Sequence, residues 1–210
     1  MKNQTVAILG GTGKAGKYIV KALLAAGYHL KLLVKDPESH APEHHIEYVG
    51  GNAKDYDAIY RLLSGCDFVV SAVGQRPGET GVFSQSTTNI LKAMSALNTM
   101  RYISLTGLNV DTAADQKGNA TAFGTAWMKE NFPLSTADKQ LEYDLLLSSN
   151  VAWTLIRLPM IHLTDELTEL KVSLTDCPGD HINASDLAQF VIGLLTSRSY
   201  SQSAPFIASS

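Results

Sequence analysis

Cysteine is scarce in this chain: Cys66 and Cys177 are the whole supply in 210 residues. Two isolated thiols form no disulfide framework and have no zinc-ligand spacing, so no metal site is expected. A strong charge of either sign is missing too. Seventeen Lys and Arg against twenty Asp and Glu leave a formal charge of −3 and a pI near 6.0. That excludes general binding to nucleic acid or to an anionic membrane, while leaving room for a local basic pocket. Long hydrophobic runs are also lacking. The opening stretch reaches Gly10-Gly11 after only five largely apolar residues, too short for a signal-peptide core, and no later stretch would span a bilayer. The expected location is therefore a reducing cytoplasm.

What is present is an ordinary globular composition, 45% apolar and 18% charged, in enough chain for one domain with a substantial core. No long repeat, low-complexity tract or linker divides it, so residues 1–210 are read as a single unit. Short β-rich runs recur at Thr5–Leu9, Leu30–Val34, Ile46–Val49, Phe68–Ala72, Tyr102–Leu105, Ala152–Leu158 and Pro205–Ala208. Most are continuously apolar, as strands covered on both faces should be. Amphipathic segments lie between them. In the first, Tyr18, Ile19, Ala22, Leu23 and Ala26 share one face and Gly27 supplies a stop. This alternation predicts an α/β fold, a doubly wound parallel sheet with helices on both faces. Ligands of such a sheet sit beyond the carboxyl ends of its strands.

The first strand end carries the strongest signal. Gly10-Gly11-Thr12-Gly13-Lys14-Ala15-Gly16 satisfies both Gly-x-x-Gly-x-x-Gly and Gly-x-Gly-x-x-Gly, after an apolar strand and before an amphipathic helix. That context suits a dinucleotide: glycine torsions and bare backbone let main-chain N–H groups approach a pyrophosphate, and the helix N-terminus adds positive potential. The alternative is a tight turn with no ligand, although three spaced glycines exceed what a turn needs.

The second strand end bears on which dinucleotide. It reads Val34-Lys35-Asp36-Pro37. Lys35 can pair with a 2′-phosphate, and Lys14 in the glycine loop can reach toward the same group. Both favour NADP(H). Asp36 is open to two readings, the ribose-binding acid of an NAD(H) site or the first residue of an Asp-Pro turn. Further along, Gly51-Asn52-Ala53 follows the third strand, where Asn52 has a donor and an acceptor for an adenine edge. Ser71-Ala72-Val73-Gly74 closes the fourth with small side chains. Each of these is also readable as a plain turn or strand end.

These residues resemble the atypical short-chain dehydrogenase/reductase family, which contains NmrA-like proteins and biliverdin/flavin reductases. The similar elements are residues 8–16, Leu33–Pro37, Gly51–Asp55 (Asn52 standing where the family has Asp) and Val70–Gly74. Lys139-x-x-Glu142, Ser148–Arg157 and Ser185–Ala188 extend the likeness to nearly the whole chain. The resemblance implies a serine after strand five and a Tyr-x-x-x-Lys pair on the next helix, the tyrosine acting as acid/base and the lysine holding the ribose. Lys139 matches that lysine, but Ser135 stands in the tyrosine's place. A serine hydroxyl has too high a pKa to replace an activated phenol. Ser104 and Thr106 lie near the expected serine, where either can orient a carbonyl or satisfy the strand end. Tyr143 reads as packing.

The family would place the nicotinamide at Leu158-Pro159-Met160-Ile161-His162, with Pro159 and Met160 against its ring. His162 is the nearest proton donor, or a polar surface residue. The candidate catalytic set is thus Ser104, Lys139 and His162. The cofactor set is Gly10, Thr12, Gly13, Lys14, Ala15, Gly16, Lys35, Asn52, Ala53, Ala72, Val73, Gly74, Lys139, Pro159 and Met160. The leading reading is an NADPH-dependent reductase of a small acceptor such as a flavin, quinone or carbonyl. One alternative is a regulator that senses the NADP/NADPH ratio and reports to a protein partner. A sugar-nucleotide epimerase or dehydratase is weakened by the missing tyrosine and by a C-terminal portion too short for a substrate domain.

Overall fold

A computed structural model of the chain describes residues 4–76, 78–97, 99 and 101–210; the start of the opening stretch, residues 1–3, lies outside them. The first unit is a strand, β1 (Thr5–Leu9), and a helix, α1 (Gly16–Ala25). Strands β2 (His29–Val34) and β3 (Ile46–Gly50) follow, then α2 (Tyr56–Leu63), β4 (Phe68–Ser71), α3 (Val82–Leu97) and β5 (Arg101–Gly107). Two consecutive helices come next, α4 (Asn119–Asn131) and α5 (Pro133–Leu147), then β6 (Trp153–Leu158). The chain closes with β7 (Met160–His162), β8 (Leu170–Ser173), β9 (His181–Asn183), α6 (Ala184–Thr196) and β10 (Phe206–Ser209).

Eight strands form one sheet in the order β3-β2-β1-β4-β5-β6-β10-β8. All neighbours are parallel except β8, which runs antiparallel to β10. The chain reverses its direction of travel across the sheet between β1 and β4, the switch point at which a crevice opens beyond the strand ends. The doubly wound, Rossmann-like fold is as the sequence predicts. To this parallel sheet β8 adds an antiparallel edge, and β7 pairs with β9 in a separate two-stranded sheet. None of these three short strands carries a continuous apolar run, which is why composition did not reveal them.

The apolar strands are continuous because alternate residues serve opposite layers. Val6 and Ile8 of β1 pack with Ile19 and Leu23 of α1 and with Leu187 and Val191 of α6. Ala7 and Leu9 pack with Ile59 and Leu62 of α2, Ile90 of α3 and Leu146 of α5. Each fully buried Leu or Ile contributes about 1.5–3 kcal/mol relative to exposure. Gly27, at φ +83°, ends α1 where a left-handed residue is needed.

Two polar devices fix the segments that carry the site. Arg157 of β6, fully buried, donates from one terminal nitrogen to both carboxylate oxygens of Asp115, at 2.7 and 2.9 Å, and stacks 3.5 Å from the Phe206 ring centroid. It also donates to the carbonyls of Val110, Leu174 and Ala204. One guanidinium thus ties the loop after β5 to β8 and β10. Asp138 of α5 accepts from the amides of Phe83 (2.9 Å) and Ser84 (3.2 Å) and from the Ser84 hydroxyl. It acts as a tertiary cap on the first turn of α3. Among the described residues no helix is long and apolar enough to cross a membrane.

Candidate cofactor groove and reaction chamber

The three spaced glycines have different duties. Gly10 sits at φ +73°, and a Cβ there would stand 2.4 Å from the Ala72 carbonyl oxygen, so β1 and β4 can close together only around glycine. A Cβ on Gly16 would stand 2.1 Å from the Gly10 carbonyl oxygen. Gly13 differs. Its amide donates to that same carbonyl at 3.0 Å, and an added Cβ would meet only that oxygen, at 3.1 Å. Gly13 borders the groove instead. The residue before α1 is Ala15, which has no side-chain oxygen to cap the helix. Within the first turn the Lys17 and Tyr18 amides donate to the carbonyls of Gly13 and Ala15, both at 3.1 Å, and the positive end of the helix lies at the glycine turn.

The groove has two lobes that meet at Gly13, Ala72, Val73, Gly74 and Gln75. The first, about 480 Å³, runs over the ends of β1, β2, β3 and β4. Its lining includes Thr12, Val34, Lys35, Asp36, Asn52, Ala53 and Arg76. Asp36 caps the short 3-10 turn Pro37–Ser39: its Oδ1 accepts from the Glu38 amide at 3.1 Å, and its carbonyl accepts from the Ser39 hydroxyl at 2.7 Å. Of the two readings of Asp36, the turn is the one the structure displays. Asn52 is also partly engaged, its Oδ1 accepting from the Lys54 amide at 3.0 Å. Its amide NH₂ is unengaged among the described residues, and Oδ1 keeps a second lone pair, so a donor and an acceptor both remain for an adenine edge.

The second lobe, about 570 Å³, lies over β5 and β6 and is more apolar. Phe83, Leu105, Met128, Phe132, Leu158, Pro159 and Ile161 wall it, with Thr106, Ser135, Lys14 and Lys139 as polar groups. Four expectations change here. Lys14 borders this lobe, not the one holding Lys35, because the turn carries it to the other side of Gly13. Met160 points outward, 69% exposed, and Ile161 lines the wall in its stead, since alternate residues of β7 face opposite sides. His162 is exposed on the outward side of β7 and stacks on His181, with centroids 4.3 Å apart. It is not part of the lining. Ser104 is buried beneath the lobe and donates to Glu142 at 2.7 Å; Thr106, two residues on, reaches the lining. Tyr143 packs edge-on against Trp153, 6.1 Å between centroids.

Lys139 lies between two elements. Its ammonium is 5.2 Å from the Phe83 ring centroid and 3.4 Å from where a Cβ on Gly107 would sit. Burial lowers its pKa and nearby Glu142 raises it. Glu142 itself is pushed up to about 7, burial outweighing the hydroxyls of Ser104 and Thr87 and the Lys139 charge, which pull the other way. Sequence reasoning placed Glu142 in a family motif but gave it no role. Nor did it anticipate Arg76, Phe83, Met128 or Phe132, which lie far from the glycine loop in sequence and have no spacing to mark them.

These features fit a dinucleotide. The switch-point turn admits no Cβ at Gly10, α1 starts beside Ala15 at the wall of the groove, and the two lobes continue one another across Gly13. Comparison with known proteins agrees. Residues 10–198 match the model of an NAD(P)H-binding family. A wide-type short-chain dehydrogenase/reductase from Veillonella parvula, solved with NADP, superposes with a TM-score of 0.79 at 15% identity, over 98% of this chain and 94% of that one. ChuY, an anaerobillin reductase from Escherichia coli O157:H7, gives a TM-score of 0.79 at 15% identity, over 98% of this chain and 97% of that one. Cinnamoyl-CoA reductase 1 of Oryza sativa subsp. japonica is 26% identical over 114 residues. That match takes in 49% of this chain and 34% of the rice protein, about a third of its length. With the family model matched from the glycine turn to just past the end of α6, the chain belongs to the NAD(P)H-binding family.

Proposed function

We propose that this chain is an NADPH-dependent reductase of a small conjugated acceptor, of the flavin, quinone or carbonyl type. The observation that carries the reading is the continuity of the two lobes: a more polar half lined by Lys35 and Arg76 opens at Gly13 into an apolar chamber walled by aromatic and aliphatic side chains. When bound, the reduced nicotinamide supplies a hydride. The chain's own residues bind, orient and exclude water. Lys35 and Arg76 offer cations to a 2′-phosphate, and Asp36, engaged in its turn, competes poorly for a ribose hydroxyl. Lys139 presents a cation to the chamber, and Phe132 and Met128 give a flat acceptor an apolar surface. No tyrosine or histidine lines the chamber among the described residues. Acceptors that can take their proton from water therefore suit it best. Two of the similar proteins are reductases by name, which supports the same class.

Ser135, lining the chamber where the family places its tyrosine, favours a second reading, a regulator that binds NADP and NADPH without turnover and reports their ratio to a protein partner. One experiment separates them: incubation with NADPH and a panel of quinones, flavins and aldehydes, following the reduced-nicotinamide absorbance. Saturable, protein-dependent oxidation with any acceptor supports the reductase. Tight NADPH binding with no turnover across the panel favours the regulator, and no binding overturns both.

A further inference from the structure

Beneath the chamber lies a carboxyl that the reading above leaves unused. Glu142, 2% exposed, accepts at Oε1 from the Ser104 hydroxyl (2.7 Å) and the Thr87 hydroxyl (3.2 Å), while its Oε2 is buried without a partner. Three residues earlier on the same face of α5, Lys139 reaches the chamber, and among the described residues its ammonium has no ion pair and no hydrogen bond. Other charges near the pair are accounted for. Asp138 on α5 is engaged by the amides of α3. From α3 come Phe83 and Thr87, and the lysine of that helix, Lys92, lies over the Tyr56 ring at 4.0 Å. From β5 comes the Tyr102 phenol, 3.0 Å from the Thr87 hydroxyl. From β4 comes the Ser71 hydroxyl. Glu142, one turn along α5, is the carboxyl whose charge bears on Lys139, at a separation beyond ion-pair contact.

We propose that Glu142 is a positioning residue, the buried counter-ion that keeps Lys139 protonated where its burial would otherwise neutralise it. The consequence for cofactor binding rests on the chamber being the nicotinamide end of the groove; the pairing itself does not. Burial alone pushes a lysine toward the neutral amine. In acid, Glu142 is neutral and Lys139 is charged by the solution. As pH rises through neutrality Glu142 ionises, and its field in a poorly hydrated site holds the proton on Lys139. The orphaned Oε2 is consistent with this role, because a carboxylate fully satisfied by local hydrogen bonds would have less field to lend.

The test has two independent readouts. In the first, lysines are labelled by reductive ¹³C-methylation and the Lys139 signal, assigned with Lys139→Arg, is followed against pH in wild type and Glu142→Gln. Wild type should show an inflection near neutrality from Glu142 and a later one from Lys139 itself. Glu142→Gln should lose the first and show an acid dissociation constant for Lys139 raised about tenfold, roughly one pH unit lower in midpoint. Identical curves would overturn the proposal. If Glu142→Gln fails to fold, Ser104→Ala serves: losing a hydrogen bond that favours the carboxylate should move the near-neutral inflection to higher pH, and an unmoved inflection overturns the proposal equally. In the second readout, the alkaline loss of NADPH affinity should begin about one pH unit lower in Glu142→Gln, with the two proteins alike at pH 6; an unshifted alkaline limb overturns the proposal. A wild-type protein that binds no NADPH at any pH would sink the cofactor reading instead, and the lysine titration would still decide the pair.

Discussion

Gly16 is packed against Gly10 so closely that a Cβ on the first would lie 2.1 Å from the carbonyl oxygen of the second. Two of the three spaced glycines are therefore required by the turn itself, while Gly13 borders both lobes of the groove with only one carbonyl close to it. Gly13→Val should abolish dinucleotide binding and leave the fold intact, since its Cβ needs only a few tenths of an ångström from one carbonyl. Gly16→Val should instead destabilise the protein by about 1–3 kcal/mol or more, as overpacking does. Calorimetric titration and thermal unfolding of both variants check this. Near wild-type affinity in Gly13→Val would make the loop a structural turn.

The first lobe makes a prediction about cofactor choice. Lys35 lines it, and the Asp36 carboxylate is occupied by the Glu38 amide. Lys35→Ala should weaken NADPH by about 1.5–3 kcal/mol, one to two orders of magnitude in Kd, and leave NADH nearly unchanged. Asp36→Ala should affect neither by that much. Titrating both cofactors against both variants decides it. Equal NADPH and NADH affinities in wild type, or a selective NADH loss in Asp36→Ala, would reassign the site to NAD.

The Arg157–Asp115 pair makes a prediction about stability. Asp115→Ala leaves a fully buried guanidinium with only carbonyl partners, which should cost about 3–5 kcal/mol. Because the same guanidinium ties down the loop after β5, the loss should appear first as faster amide exchange across residues 108–118. Urea unfolding and hydrogen exchange measure the two effects. A ΔΔG under about 1 kcal/mol would mean that Arg157 is held by stacking on Phe206 and by its carbonyl contacts alone.

Much of this was legible in the sequence, for particular reasons. The doubly wound, largely parallel sheet follows from continuously apolar runs such as Val69–Val70 and Leu155–Ile156, whose alternate residues feed two layers, and from the helix-starting glycine turn. The short strands β7, β8 and β9 were not legible, because MIH, LKVS and HIN are too brief for a period to show. In the site, Gly10 and Gly16 were visible as glycines, but that they serve the turn and Gly13 the groove depends on contacts with Ala72 across the sheet. Ser104 and Thr106 looked equivalent in sequence. Both lie on one face of β5, and position along the strand decides between them: Ser104 sits deeper, against Glu142, and Thr106 lies one pleat nearer the carboxyl end, at the chamber lining. Glu142 was visible only as a letter in a motif, since its burial comes from α3 and β5 packing over it.

Glu142 also makes stability depend on pH. Its folded value of about 7 lies above its ordinary value of 4.5, so between those values the folded state binds more protons than the unfolded chain. The contribution is complete below about pH 4.5 and is lost as pH rises through about 7. Relative to Glu142→Gln, wild type should lose on the order of 3 kcal/mol between pH 4.5 and pH 8. Urea unfolding of both proteins across that range isolates the term, because every other titrating group is common to the two. A difference that stays flat or grows with pH would show that the carboxyl is not held neutral by burial.

The last prediction separates the roles of the polar groups in the chamber. Lys139 and Ser135 both line it, four residues apart on α5, but only the lysine brings a charge. Lys139→Ala should weaken NADPH binding and slow any turnover together, because the cation acts on the bound cofactor before and during the reaction. Ser135→Ala should change neither by more than about twofold, since an alcohol with no activating neighbour transfers no proton near neutral pH. Thr106→Val should resemble Ser135→Ala, its hydroxyl being buried and unpartnered beneath the chamber wall. Steady-state rates with the best acceptor, set beside NADPH Kd values, check all three. If Ser135→Ala instead cost about 10²–10⁴ in rate, the serine would be the proton donor. The chamber would then complete its own acid chemistry, and carbonyl acceptors, which need that proton, would displace quinones and flavins as the preferred class.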